Sequence, residues 1–516
     1  MTPRANWPLH PSIYEIYPRS FRDSTGTGEG DLRGVVQGLE AIAQLGVDAI
    51  WLAPFYTSPM VDGGYDVMNH CEVDPRYGTL DDFDAVVARA HELNLRVMVD
   101  LVFNHTSDQH PWFQASIARD EDMHDWYVWR DAKPDGSPPN NWLSFFGEPA
   151  WTWNPVRRQF YLRQFLSCQP SLNLRHPSVQ DALQAIVAFW RGRGVDGFRF
   201  DAVNSYLFDL SMKDNPPASE EVQDRNATGP ENLYSFQDHL YDILPGDGAA
   251  FAESLRKWAG PDAWLLGEVN SGNRSVELSG AFTAPDRLDA SYTVDLMVNP
   301  VTAQTVCDLI TRHRREGCGL TYCLSCHDQP RAVSRTGDGS ARDAKLLALL
   351  SAALPGPLII WQGEELGQPQ AALKLNEISD PFDRLFWPVP PDREGARIPY
   401  PWSADAPNYG FTTGTPWLPM QGLDDIALSE QGPDGTRAFW IEALRLRRSL
   451  DPEGPVDTAI VNDVLHIQRG DFTFALNLTD SARPCGHAHP ALSTEPLTPG
   501  ALPRRSGVVW RKGYSG

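Results

Sequence analysis

The chain has 516 residues, 41% hydrophobic and 22% charged, and a net charge of −23. So acidic a protein is repelled by phosphate backbones and anionic lipid, which excludes a nucleic-acid partner or a membrane-surface partner, and the composition is that of a folded, loop-rich chain with ample length for a large core. No signal-peptide core opens the sequence, the most apolar stretch (346–361) is broken by Pro355 and Pro357, and the 7 cysteines are odd in number and scattered, so a cytoplasmic protein without a disulfide framework is expected.

In chain order, the first strand-like segment is 14–17. Residues 31–45 follow as a helix with Leu32, Val35, Leu39, Ile42 and Leu45 on one face and Gly46 as its stop. Segment 47–54 (VDAIWLAP) is the next strand. Thr79 and Asp82 make a cap-like start for a helix carrying Phe83, Val86, Val87, Ala90 and Leu93. Strand 95–102 (LRVMVDLV) comes next. Ser178 and Asp181 open a helix with Leu183, Ile186, Val187 and Trp190 inside, and 195–202 (VDGFRFDA) follows. Further strands are expected at 263–269, near 291–298, at 320–327 and at 357–361.

Continuous apolar strands alternating with amphipathic helices imply a parallel sheet covered on both faces. Eight such units predict a closed (β/α)8 TIM barrel of the α/β class. No Gly-rich phosphate loop follows the first strand, which argues against a dinucleotide fold. Two places break the rhythm. A long stretch rich in Trp, Pro, Asn and Gly follows the third strand and reads as an inserted subdomain. After a helix at 436–448 the chain turns to short alternating segments such as 464–468 and 473–478, a small C-terminal β domain. The expected division is 1–102 and 175–450 for the barrel, 103–174 for the insertion and 451–516 for the β domain. Cys318, Cys323, Cys326 and His327 cluster, but a second ligand pair at zinc-site spacing is missing.

Active sites of such barrels lie where the strands end. Those ends hold Asp100, Asn104 and His105 after the third strand, Arg199 and Asp201 at the fourth, Glu268 at the fifth, and His327 with Asp328 at the seventh. Asp62 and Tyr65 lie in the loop after the second. Any one of these is an ordinary solvated cap by itself; the whole set points to one pocket. Carboxylates without metal-ligand spacing suit glycosyl transfer, in which one ionised carboxylate meets the anomeric carbon and a protonated one serves the leaving oxygen. Arg199, two residues before Asp201 on the same side of the strand, is expected to keep that carboxylate ionised.

The segments DLVFNH (100–105), GFRFDAV (197–203), GEV (267–269) and CHD (326–328) resemble, in order and spacing, the four sequence regions of the alpha-amylase family, glycoside hydrolase family 13. The likeness runs from IYEIYPRSF through GGYDV, QPSLN and REGARIPYPW to GFTTGTPWLP, and looks most like the alpha-glucosidase and oligo-1,6-glucosidase branch. The resemblance implies Asp201 as nucleophile, Glu268 as general acid/base and Asp328 as the carboxylate that holds the sugar 2- and 3-hydroxyls. It implies His105 and His327 as donors around that sugar and Tyr65 stacked beneath it. Asp62 and Arg397 would recognise the non-reducing end and close the pocket, with Arg393 a second candidate for that role. The implied activity is a retaining, exo-acting alpha-glucosidase working on small alpha-glucosides, with transglucosylation and no required cofactor. Ala202 stands where 1,6-specific relatives tend to have Val, which favours maltose-type alpha-1,4 links, sucrose being possible. An oligo-1,6-glucosidase or a sucrose- or trehalose-converting relative is the alternative, and a non-catalytic binding relative would lack the carboxylates.

Three features depart from the family pattern. Cys326 stands where Asn is usual, and Ser171 where Asp is usual. The loop from Asp23 to Asp31 has the spacing of a weak calcium or magnesium site, with oxygens at Asp23, Thr25, Thr27 and Asp31 and a turn at Gly28, although two neutral threonines lower the ligand charge. A turn that caps the following helix is the other reading. Six tryptophans in the insertion (Trp112, Trp126, Trp129, Trp142, Trp151, Trp153) offer flat rings to sugars, but most are expected to hold a loop-rich unit together.

Overall fold

The computed structural model describes residues 4, 7–226, 232–271, 274–389, 392–485, 490–497 and 500–511. Eight parallel strands close into a barrel: β1 (Ser12–Ile16), β2 (Ala49–Leu52), β3 (Arg96–Leu101), β4 (Gly197–Phe200), β5 (Trp264–Glu268), β6 (Ala290–Tyr292), β7 (Leu320–Cys323) and β8 (Leu358–Trp361). Each pairs with the next in chain order, and β8 pairs back onto β1.

Strand periodicity sorts the side chains into two layers. Ile13, Trp51, Met98, Leu266 and Ile359 share one buried cluster in the barrel, while their neighbours Tyr14, Ile50, Val97, Leu265 and Ile360 belong to the larger cluster between strands and helices. Two residues further along, the same inner face turns polar. Glu15 follows Ile13, Asp100 follows Met98, Arg199 follows Gly197, and Glu268 follows Leu266. Gly197 has a steric reason: a Cβ there would lie 2.5 Å from the Trp264 carbonyl oxygen. The strands therefore carry an apolar floor and a charged rim from one repeating pattern.

The helices start largely where caps allow. Asp31 accepts from Gly34 N–H at the start of Leu32–Ala43, and Thr79 and Asp82 form a reciprocal capping box on Leu80–Glu92. The helix expected at Ser178 begins instead at Pro177, with His176 as its cap, because proline is tolerated in the first turn. The sixth strand also ends sooner than its apolar run suggests: after Tyr292 the chain forms a short helix, Asp295–Val298.

The connection after β3 carries a helix, Pro111–Ile117, and a three-stranded antiparallel sheet of Trp129–Arg130, Gln159–Leu162 and Trp151–Asn154. Its return is pinned to the barrel rim by a bridge between His105 and Ser171, with Leu172 N–H donating to the Asn104 carbonyl at 2.9 Å. At the C-terminus, a five-stranded sheet built around Val464–Arg469, Phe472–Asn477 and Ser506–Arg511 packs on the helix Ala341–Ala353. Among the described residues no helix is long and apolar enough to cross a membrane.

Candidate active site

Arg199 is the hub of the charged rim and is fully buried. Its Nη1 donates to Asp100 Oδ1 at 2.8 Å and to Asp201 Oδ1 at 2.7 Å; its Nη2 donates to Glu268 Oε2 at 2.5 Å and to the Tyr292 hydroxyl at 2.6 Å. One planar guanidinium thus ties together the ends of β3, β4, β5 and β6. Tyr65 donates to the other oxygen of Asp100 at 3.0 Å, which leaves Asp201 and Glu268 as the carboxylates of this group that line the pocket. After Asp201 the backbone turns sharply. Ala202 has φ +42°, a left-handed conformation that aims its N–H at Glu268 Oε2, 3.1 Å away.

The environment raises both carboxyls. Burial, opposed by Arg199 and reinforced by Asp201 and Asp328, pushes Glu268 up to about 7. At Asp201 burial also outweighs Arg199, and the carboxyl rises to about 6. Arg199 therefore does not depress Asp201 as its spacing suggests; the guanidinium is shared with Asp100 and Glu268 and offsets only part of the desolvation. Burial would raise Asp328 as well, but His327, Arg393 and Arg397 hold it well below the usual carboxylate range. His327 rises to about 10, burial being overcome by Asp328 and Glu15, whereas burial drives His105 down to about 3 and keeps it neutral.

Charged groups and aromatic rings share the pocket wall. The charged groups are Asp62, Asp201, Glu268, Asp328 and Arg393, with Tyr65 and His105 beside them. The ring of Tyr65 lies parallel to that of His327, centroids 5.2 Å apart. Phe145, Phe146, Phe165, Phe382 and Tyr234 also line the pocket, with Phe146 and Phe382 4.7 Å apart and the Arg393 guanidinium 5.8 and 5.5 Å from those two rings.

The partner of Asp62 in that wall is Arg393, not Arg397. Arg393 Nη2 donates to Asp62 Oδ1 at 2.6 Å. Arg397 instead donates to Asp328 Oδ1 at 2.8 Å, to Asp380 Oδ2 at 3.1 Å and to the His327 carbonyl at 2.7 Å. The short turn Glu394–Arg397 brings both arginines to Oδ2 of the buried Asp380, and from there Arg393 meets Asp62 while Arg397 is taken up by Asp328 and the His327 carbonyl.

Residues 15–448 match the family described as "Alpha amylase, catalytic domain". The chain belongs to the alpha-amylase family. It is 44% identical over 431 residues to a "Probable alpha-glucosidase" of Rhizobium meliloti (strain 1021), covering 81% of this chain and 78% of the relative. It is 37% identical over 464 residues to the "Trehalose-6-phosphate hydrolase" of Escherichia coli (strain K12), covering 82% and 80%. Among solved structures it resembles the "alpha-glucosyl transfer enzyme, XgtA", with a TM-score of 0.92, 36% identity and 99% of each chain covered.

Other parts of this alpha-amylase family chain correct the sequence reading. The loop at Asp23, Thr25, Thr27 and Asp31 does not fit a cation. Asp23 already accepts from Thr25, Gly26 and Gly28 N–H and from the Thr25 and Thr412 hydroxyls, and Asp31 accepts from Ser24 and from Gly34 N–H. A carboxylate has about four lone-pair sites, so donors fill Asp23 and the loop is a helix-capping turn. Nor do the insertion's tryptophans meet the pocket. Trp126, Trp129, Trp142 and Trp151 are buried in the insertion, Trp153 is exposed, and none of the six lines the pocket.

Sequence reasoning gave no role to Gln169 and Asp380, and it singled out Ser171 and Cys326 only as departures from the family pattern. Gln169, in the QPSLN segment, donates to Asp62 Oδ2 at 2.8 Å. Asp380 anchors both arginines; the Asp-Pro pair marks it only as the cap of the helix Pro381–Leu385. Ser171 is buried beside His105, its hydroxyl without a partner among the described residues, and Cys326 is buried at the pocket wall.

Proposed function

We propose that the chain is a retaining, exo-acting alpha-glucosidase that releases terminal alpha-glucose from small alpha-glucosides, maltose-type alpha-1,4 links favoured and sucrose possible, and that passes glucose to other hydroxyls. The observation that carries this reading is the bridge from one buried Arg199 to both Asp201 and Glu268 in a pocket that Asp62 and Arg393 also line. Asp201 attacks the anomeric carbon from below, forming the glucosyl ester. The glycosidic C–O bond breaks as Glu268 gives its proton to the leaving oxygen. Glu268, now a carboxylate, takes a proton from water or an acceptor hydroxyl. That oxygen displaces Asp201 and restores the alpha configuration.

The nucleophile must be charged while the acid is not, and the raised carboxyl of Glu268 suits the acid. Asp328, held ionised, faces the sugar hydroxyls and the positive charge that develops in the transition state. The relative named an alpha-glucosidase supports hydrolysis, and the neighbour titled a glucosyl transfer enzyme supports transfer. The aromatic rings in the pocket wall favour transfer further, because flat rings can stack on an acceptor sugar. A product-resolved assay over maltose, isomaltose, sucrose and trehalose tests the reading. Release of alpha-glucose from maltose supports it, and inertness toward all four sugars would reject it.

A further inference from the structure

Beneath His327 lies a carboxylate that the reaction outlined above does not use. Glu15, on β1, is fully buried, and its Oε1 lies 2.5 Å from His327 Nδ1. The other ring nitrogen, Nε2, lies 3.1 Å from Asp328 Oδ2, an ion-pair contact outside hydrogen-bond geometry. Carboxylate, imidazole and carboxylate form a chain from the end of β1 to the pocket, and of the three only Asp328 lines the cavity. Glu15 Oε2 has no hydrogen-bond partner among the described residues, so His327 is the group this side chain serves. The ring is clamped in that orientation. Tyr65 and Tyr17 stack parallel to it, at interplanar angles of 9° and 3°, and Trp51 meets it edge-on. A ring held between two carboxylates favours a proton on each nitrogen.

We propose that Glu15 is a positioning residue for the reaction: its charge keeps His327 doubly protonated, and the cationic ring keeps Asp328 ionised and aimed at the sugar. The step from Asp328 to sugar rests on the glucosidase reading; the state of His327 does not. Other charged groups around this line act in known directions. Asp100 on β3 adds negative charge facing the ring. Arg397 donates to the His327 carbonyl, and Arg393 and Arg397 approach Asp328 Oδ1 at 3.4 and 2.8 Å, leaving Oδ2 to the ring. Arg331 faces Glu15 from the start of a helix, with Glu364 and Glu365 also near it. Glu15 and Asp328 are the two carboxylates in direct contact with the imidazole. Without the first, burial works against the ring's charge with only one anion left to oppose it.

Glu15→Gln removes the charge at nearly constant size. Its kcat/KM should stay within about threefold of the parent at pH 5.5, where the medium protonates the ring, and fall at least about tenfold below the parent at pH 8. Glu15→Asp, which restores the charge on a shorter arm, should recover the parent's profile shape at lower kcat. A purely structural role would lower activity evenly across pH. The direct measurement is 15N NMR of histidine-labelled parent protein, with the His327 signal assigned by loss in His327→Gln. Both ring nitrogens should be protonated at pH 8. A neutral His327 ring at pH 8, or matching pH profiles for Glu15→Gln and the parent, would overturn the proposal. If Glu15→Gln does not fold, the NMR measurement on the parent decides alone. If the parent hydrolyses no alpha-glucoside, the glucosidase reading fails while the NMR result still judges Glu15.

Discussion

Arg393 donates to Asp62 Oδ1 at 2.6 Å across 331 residues of sequence. Gln169 holds the other oxygen of Asp62, and Asp380 lies 2.7 Å from Arg393 Nε, so the contact is fixed from both sides. In the exo-acting reading, this buried polar pair meets the substrate terminus. Buried polar groups of this kind penalise any substrate that leaves them unpaired.

Asp62→Ala and Arg393→Ala should each therefore lose at least about 30-fold in kcat/KM on maltose, the consequence of stranding one partner of a buried charge pair. The parent enzyme should not lower the viscosity of starch. Normal maltose turnover by Asp62→Ala, or rapid thinning of starch by the parent, would show that the pair does not meet a substrate terminus.

The two pocket carboxylates give different failures. Asp201→Asn should be inactive on all alpha-glucosides while keeping its fold, because an amide forms no glucosyl ester. Glu268→Gln should fail on maltose yet keep first-step activity on alpha-glucosyl fluoride, whose leaving group needs no proton. NMR of the first-formed sugar should show alpha-glucose before mutarotation. Early beta-glucose, or a tenth of parental activity in Asp201→Asn, contradicts the assignment.

The pH dependence follows from the two raised carboxyls. Activity requires Asp201 ionised, so it falls as the pH drops through about 6, and it requires Glu268 protonated, so it falls as the pH rises through about 7. The pair shares Arg199, and its measured values belong to the pair. A kcat/KM profile on maltose should be a narrow bell centred between those limits. An acid limb far below pH 5, with activity unchanged to pH 9, would mean that burial does not control the pair.

Arg199→Lys keeps one positive charge but not the planar fork. An ammonium cannot bridge Asp100, Asp201, Glu268 and Tyr292 together, so a buried carboxylate loses its partner. Stability should fall by about 3–5 kcal/mol, the range for breaking a buried ion pair, with a matching drop in the midpoint of chemical unfolding. A variant as stable as the parent would show that Arg199 serves catalysis without holding the rim together.

Much of this site was legible because strand geometry is local. A period of two, together with an apolar floor, requires that Asp100, Arg199 and Glu268 point inward once their strands are recognised, and Asp201 follows from its spacing to Arg199. Glu15 obeys the same rule on β1 and was passed over only because its surrounding motif served for the resemblance. Local chemistry likewise placed the caps at Asp31 and Thr79.

Which arginine meets Asp62 was decided elsewhere. Arg393 and Arg397 are the same residue type, one helical turn apart, and their partners lie far away in sequence. Only the path of the chain around Asp380 distinguishes them. The carboxyl shifts have the same origin: Arg199 next to Asp201 in sequence suggests a depressed carboxyl, but burial and the sharing of one guanidinium among three carboxylates are properties of the closed barrel. The aromatic rings make the point a third time. Sequence counts rings without telling which faces meet, so the tryptophans went to the insertion's core while phenylalanines from three separate segments, at Phe145, Phe165 and Phe382, came together at the pocket. Sequence spacing sets the direction of a side chain within its strand or helix; contact between distant segments depends on how the whole chain packs.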